Sequence, residues 1–176
     1  MEVLAEKAGI PPERVIRLNG NENPYGPSPR VARALGKFQH YNHYPDPEQR
    51  RLRQTLSTYL GVSPDWIVAG NGSDELIDML TRMFVGPGDN IIIPAPTFGM
   101  YAVSAEVSGG EAVAVPRDQR FEIDVEAVKL AVNARTKGIF FASPNNPTGN
   151  IATEAQVRGL LDSEVLLVVD ETYHEF

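Results

Sequence analysis

Apolar and polar residues along the chain fall into short blocks of two kinds. One kind is compact, β-branched or aromatic, and bounded largely by Gly, Pro, Asp or Asn: 90–94 (NIIIP), 111–115 (EAVAV), 138–142 (GIFFA) and 165–169 (VLLVV). These read as strands, several of them apolar on both faces, as strands covered from both sides are. A shorter apolar run at 66–69 reads as another. The second kind has helical spacing: 29–38, 47–60 ending at Gly61, 97–108, 125–133 and 153–161, while 70–84 reads as a loop followed by a helix starting near Ser73. Strands that alternate with helices predict an α/β fold with three α/β/α layers and a mostly parallel sheet. Ligands in such folds bind beyond the carboxyl ends of the strands, so the chemistry is expected just after each strand.

Between the blocks the chain is punctuated by 15 glycines and 14 prolines. Pro24, Pro27 and Pro29 together with Gly20 and Gly26 make 20–29 an extended arm, because proline excludes helix from the residue before it. A second irregular stretch, HYNHYPDPEQ, follows the first helix. The expected organisation is therefore an N-terminal arm and first helix over 1–46, then an α/β domain over 47–176. No internal repeat or low-complexity tract interrupts it.

Composition narrows the function classes. The 176 residues are 42% hydrophobic and 8% aromatic, enough for a globular core. With 16 basic against 23 acidic residues the net charge is −7, which disfavours nucleic acid or an anionic membrane as the main partner. No cysteine is present, so disulfides, Cys-ligated zinc and Cys nucleophiles are excluded. The N-terminus lacks the apolar core of a secretory signal, and no apolar run is long enough to span a bilayer. A cytoplasmic protein is the expectation.

Three segments that follow strands carry candidate chemistry. Gly70-Asn71-Gly72-Ser73-Asp74-Glu75 places two glycines before a helix N-terminus, where free N–H groups receive an anion such as a phosphate. It equally suits an ordinary tight turn with Ser73 or Asp74 as N-cap. Ser143-Pro144-Asn145-Asn146-Pro147-Thr148-Gly149 has the residues of a generic turn, yet Asn146, held by the following proline, is placed to donate to a ligand oxygen. Asp170 closes an apolar strand, where an unpaired carboxylate is costly. Either a cationic partner satisfies it, with Tyr173 three residues on reaching the same ligand, or it caps the turn that follows.

In this order and at these intervals, with Pro96-Thr97-Phe98-Gly99-Met100-Tyr101 between the first and second, the three segments resemble the fold type I aminotransferases, which use pyridoxal 5'-phosphate. The resemblance covers essentially the whole chain and implies the large domain of that fold, truncated. It implies that Gly72, Ser73 and Asp74 hold the cofactor phosphate and that Phe98 stacks on the pyridine face. It further implies that Asn146 and Tyr173 hydrogen-bond the phenolic oxygen, and that Asp170 pairs with the ring nitrogen and keeps it protonated.

Within the family, Leu18-Asn19-Gly20-Asn21-Glu22-Asn23-Pro24-Tyr25-Gly26 and Tyr44-Pro45-Asp46-Pro47 resemble the histidinol-phosphate branch of histidine biosynthesis. That branch implies a homodimer in which Tyr44 reaches the cofactor phosphate of the neighbouring subunit, and Tyr25 faces the substrate. Simple aromatic packing under the arm is the competing explanation for both tyrosines. One family feature is missing. The Schiff-base lysine lies downstream of the Asp-x-x-Tyr strand, whereas Lys7, Lys37, Lys129 and Lys137 all lie upstream. Lys129 and Lys137 read as solvated surface groups. The expectation is the N-terminal part of an aminotransferase without its C-terminal small domain, its partners being a small amino donor and a keto or phosphate-bearing acceptor. An aromatic aminotransferase, a threonine-phosphate decarboxylase or a noncatalytic derivative of the same fold are the alternatives.

Overall fold

The computed structural model describes residues 2–16, 18 and 20–176, Glu2 by its backbone alone. The chain divides into two compact units, Met1–Glu48 and Gln49–Phe176.

The first unit holds α1 (Glu2–Ala8), a 3-10 turn at Pro12–Arg14 and α2 (Pro29–Lys37). Pro29 occupies the first turn of α2, where its missing N–H costs nothing, and the Ser28 hydroxyl accepts from Arg30 N at 3.3 Å. The arm before it contains neither helix nor strand, as its prolines require. In the arm Asn23 Oδ1 accepts from Tyr25 N at 3.0 Å. Asn19 of the arm motif lies outside the described residues. Helix α1 was not anticipated: it is too short to show a period, although Ala, Leu, Glu and Lys all favour helix.

The second unit runs α3 (Arg50–Leu60), a 3-10 turn at Pro64–Trp66, α4 (Ser73–Phe84), β1 (Asn90–Ala95), α5 (Met100–Val107), β2 (Glu111–Pro116), α6 (Val125–Ala131), β3 (Thr136–Ala142), α7 (Glu154–Leu161) and β4 (Leu166–Asp170). The four strands form one sheet in the order β2-β1-β3-β4, and every pairing is parallel. The side-chain period of two sorts the apolar residues into two cores. Ile91, Ile93 and Phe140 pack with Ile77 of α4 and with Tyr101 and Ala105 of α5. Ile92, Ile139 and Phe141 pack on the opposite face with Val128 of α6 and Leu160 of α7. Three layers result, and each fully buried side chain of this size contributes roughly 1.5–3 kcal/mol of transfer free energy. Edge strand β4 is less buried than central β1 and β3.

Two expectations are corrected. The strand expected at 66–69 does not form. The chain is extended at Ile67, which is buried, but Trp66 and Val68 are largely exposed and no described strand pairs with the segment. Apolar composition alone does not make a strand, which exists only through its ladder. The helix expected from 97 begins at Met100, because the backbone from 96 to 99 is used in a turn. Among the described residues no helix is long and apolar enough to cross a membrane.

Candidate functional site

The carboxyl ends of β3 and β4, the start of α4 and the turn before α5 surround one cleft in the second unit. Ser73, Phe98, Ala142, Asn146, Asp170, Thr172 and Tyr173 line it. Five residues singled out from the sequence therefore meet, although they span a hundred positions of chain. A parallel sheet brings them together because all its strands end on the same side.

Ser73 is the first residue of α4. The N-cap is Gly72, at φ 81° and ψ 178°, and no side chain caps the helix. This corrects the expectation of Ser73 or Asp74 as N-cap. A positive φ of that size disfavours any residue with a Cβ, so Gly72 sets the direction in which α4 begins. The first N–H groups of α4 are left without side-chain acceptors, at the positive end of the helix dipole. A Cβ at Gly70 would lie 2.8 Å from Glu75 Oε2, and that carboxylate accepts a short hydrogen bond from Asn71 N. The glycine makes room for Glu75. The Asp74 side chain is exposed in the first turn and, like Gly72, is not part of the cleft lining.

The two asparagines after β3 have separate tasks. Asn145 is buried, accepts from Thr97 Oγ1 at 2.8 Å, and donates to Pro96 O at 3.1 Å and Thr148 Oγ1 at 2.8 Å. It ties the turn before α5 to the Asn-Pro-Thr-Gly turn, so the turn reading holds for the segment as well. Asn146 faces the cleft, and its side-chain amide bonds to no described residue.

Asp170 ends β4 with a hydrogen bond to each of its carboxylate oxygens. Oδ2 accepts from Tyr101 Oη at 2.8 Å, and Oδ1 accepts from Thr172 N at 3.0 Å and Thr172 Oγ1 at 2.6 Å. The turn-capping role is therefore present. Among the described residues no cationic side chain shares the carboxylate. Tyr101 is completely buried on α5, against Phe98 at 5.8 Å and Phe140 at 6.2 Å between ring centroids. Burial first, and the bond to Asp170 second, push its phenol far above the ordinary tyrosine range, so it stays a donor. Tyr101, Thr172 and Asn145 were not singled out from the sequence. Tyr101 has the spacing of a core residue, and only the Asp-x-Thr interval hinted at Thr172.

Tyr25 and Tyr44 belong to the first unit, and both residues are more than nine-tenths exposed. Lys129 and Lys137 are surface lysines with side chains 34% and 38% exposed, Lys129 near Glu126 at 3.8 Å and Lys137 near Asp89 at 3.4 Å. Their aliphatic stems lie on the protein while the ammonium groups pair. None of the four lysines lines the cleft. No cluster of three or more His, Cys, Asp or Glu able to hold a metal occurs among the described residues.

The donor set has a definite chemical shape. A helix N-terminus without a side-chain cap accepts an anion, an aromatic face stacks a flat ring, and an amide with a phenol can bind a ring oxygen. A carboxylate held only by neutral donors remains free to bind a cationic nitrogen. The chain matches the family model for class I and II aminotransferases over residues 13–176. It is 48% identical over 182 residues to the histidinol-phosphate aminotransferase of Roseiflexus castenholzii, covering 100% of this chain and 49% of that protein. It is 44% identical over 176 residues to the chloroplastic histidinol-phosphate aminotransferase of Nicotiana tabacum, covering 99% of this chain and 43% of that protein. Among solved structures, it resembles the histidinol-phosphate aminotransferase of Sinorhizobium meliloti in complex with pyridoxal-5'-phosphate. The TM-score is 0.89 at 29% identity, over 99% of this chain and 48% of that one. The chain spans about half the length of the curated relatives it matches. The match of sequence and fold over nearly all its residues shows that the chain belongs to the class I and II aminotransferase family.

Proposed function

We propose that the whole protein containing this chain is a pyridoxal 5'-phosphate-dependent aminotransferase that exchanges an amino group between histidinol phosphate and 2-oxoglutarate. The observation that carries the reading is the convergence of Ser73, Phe98, Asn146, Asp170 and Tyr173 on one cleft. The names of the relatives support the substrate, as do the arm and Tyr-Pro motifs of the sequence. Bound pyridoxal phosphate supplies an electron sink for the charge that develops at the substrate Cα.

The chain's own residues bind and orient. The first N–H groups of α4, with Gly72, Ser73 and Asp74, hold the phosphate by hydrogen bonds and the helix dipole. Phe98 supplies a face that fixes the ring plane without competing for protons. The Asn146 amide and the Tyr173 hydroxyl bind the phenolic oxygen. The Asp170 carboxylate holds a proton on the ring nitrogen. Tyr44 serves the phosphate of a neighbouring subunit in a homodimer, and Tyr25 meets the substrate. The proposal assigns the lysine that bonds the cofactor to polypeptide outside these 176 residues, since no lysine described here lines the cleft.

The test is an assay of the whole protein with histidinol phosphate, 2-oxoglutarate and pyridoxal phosphate. Glutamate formation and a visible absorption band are expected. A band without turnover of histidinol phosphate, but with turnover of an aromatic amino acid, would reject the substrate. Absence of the band would reject the cofactor.

A further inference from the structure

Desolvation disfavours an ionised carboxylate in a part-buried cleft, and something must offset it. In most proteins an arginine or lysine does so. At Asp170 three hydrogen bonds do it instead, and every donor is neutral: the Tyr101 hydroxyl on one oxygen, the Thr172 amide and hydroxyl on the other. The distinction has a consequence. A cationic partner would stabilise the carboxylate but cancel its charge and repel a second cation. Neutral donors stabilise the charge and leave its field intact.

We propose that Tyr101 and Thr172 are positioning residues for Asp170: their neutral donors keep its carboxylate ionised and aimed, so that a proton shared with a ligand's ring nitrogen stays on the nitrogen rather than on Asp170. This rests on the pyridoxal-phosphate reading of the cleft. A carboxylate that accepts three hydrogen bonds is a poorer base than one that accepts none, because each bond favours the charged form. Without such help the shared proton shifts toward the oxygen, and two neutral groups replace an ion pair.

The packing shows why Tyr101 is suited to the task. Its ring is fully buried between Phe98, at 5.8 Å and 82° between ring planes, and Phe140, at 6.2 Å and 48°. The buried ring delivers the hydroxyl to Asp170 Oδ2 at 2.8 Å. Its raised pKa keeps the proton on the phenol, so the donor is not lost at alkaline pH; Arg117 and Asp74 act on it more weakly, with opposite signs. Because Phe98 lines the cleft, Tyr101 braces both the wall that would stack the ring and the carboxylate that would meet its nitrogen. Thr172 fixes the other oxygen from the turn after β4.

The experiment uses the whole protein loaded with pyridoxal phosphate carrying nitrogen-15 in the ring. The nitrogen chemical shift is read at one neutral pH. In the unsubstituted protein a protonated nitrogen is expected. Tyr101→Phe removes one donor and should move the resonance toward that of an unprotonated pyridine, with kcat about tenfold lower and KM for the amino donor within about twofold. Thr172→Val, at an exposed residue whose replacement leaves the core intact, should move the resonance the same way, and Thr172→Ser should restore it. If Tyr101→Phe does not fold, the Thr172 pair decides alone. Asp170→Asn separates the two levels of the argument. A resonance that shifts in Asp170→Asn but in neither Tyr101→Phe nor Thr172→Val overturns this inference and leaves the cleft reading standing. A resonance unmoved by Asp170→Asn overturns both.

Discussion

The two ends of the same parallel sheet treat polar side chains in opposite ways. At the amino end, Thr136 Oγ1 donates to Asn90 Oδ1 at 2.8 Å, Asn133 N donates to Thr136 Oγ1 at 3.0 Å, and Arg135 N donates to Asn133 Oδ1 at 2.9 Å. Asp89 accepts from Gly86 N at 3.1 Å and pairs with Lys137 at 3.4 Å. The groups named there bond one another. At the carboxyl end, Asn146 has no described partner, α4 begins without a side-chain cap, and Asp170 has donors but no counter-ion. A polar network that closes on itself is structure. Groups left open in a cleft are capacity for a ligand.

Substitution at the carboxyl end should break chemistry more than stability, and the largest effect is expected at Asp170. In the whole protein, Asp170→Asn keeps the shape of the side chain but removes the charge. Turnover should fall roughly 10²-fold or more, with a much smaller change in cofactor affinity, as expected when a group acts on charge formed in the reaction. Steady-state kinetics and a cofactor titration check it. Equal losses in both would make Asp170 only the cap of the turn at Thr172. Asn146→Ala should come next. Removing an amide that bonds nothing described should leave the melting temperature nearly unchanged while weakening cofactor binding by about tenfold, the value of one charge-assisted hydrogen bond. A large drop in melting temperature would instead place Asn146 with Asn145 as a structural residue.

The same contrast separates what the sequence reveals from what it hides. Strands β1, β2, β3 and β4 were legible because each is a short apolar run with its own stop signals, and the parallel sheet followed from their alternation with helices. That Ser73, Phe98, Asn146, Asp170 and Tyr173 would lie together was legible because motif order survives in one dimension. The failures were relational. Nothing local distinguishes the apolar run at 66–69 from a true strand, since the difference is whether a ladder partner lies beside it. Asn145 and Asn146 are chemically identical neighbours, and only their three-dimensional surroundings assign one to the fold and the other to the cleft. Tyr101 looked like core and is core; its hydroxyl acts on Asp170, 69 positions away, a pairing no local pattern records.

At the amino end the order of effects should reverse. Thr136→Val in the whole protein is nearly isosteric but strips the hydroxyl that donates to Asn90 Oδ1 and accepts from Asn133 N. Both Asn90 and Thr136 are buried, so the orphaned groups find little water. A loss of about 1–3 kcal/mol is expected in chemical denaturation, with activity per folded molecule unchanged. If activity falls in proportion instead, the two ends of the sheet are coupled and their separation into structure and site is wrong.

The smallest effect is expected at Lys137, and it gives the finest test of the contrast. Its ammonium lies 3.4 Å from Asp89, and both side chains are partly exposed, at 38% and 26%. Ion pairs of this kind contribute about 0–1 kcal/mol, since screening and side-chain entropy offset most of the attraction. Lys137→Met retains the aliphatic stem and should change stability by less than about 1 kcal/mol. Lys137 also stands at the second residue of β3, the opposite end of that strand from Ala142 in the cleft lining, so it has no route to a ligand held there. Borohydride reduction of the 176-residue chain mixed with pyridoxal phosphate should accordingly label neither Lys137 nor Lys129 stoichiometrically, as read by peptide mass mapping. One clean label at Lys137 would show a ligand at the amino end and undo the contrast between the two ends of the sheet.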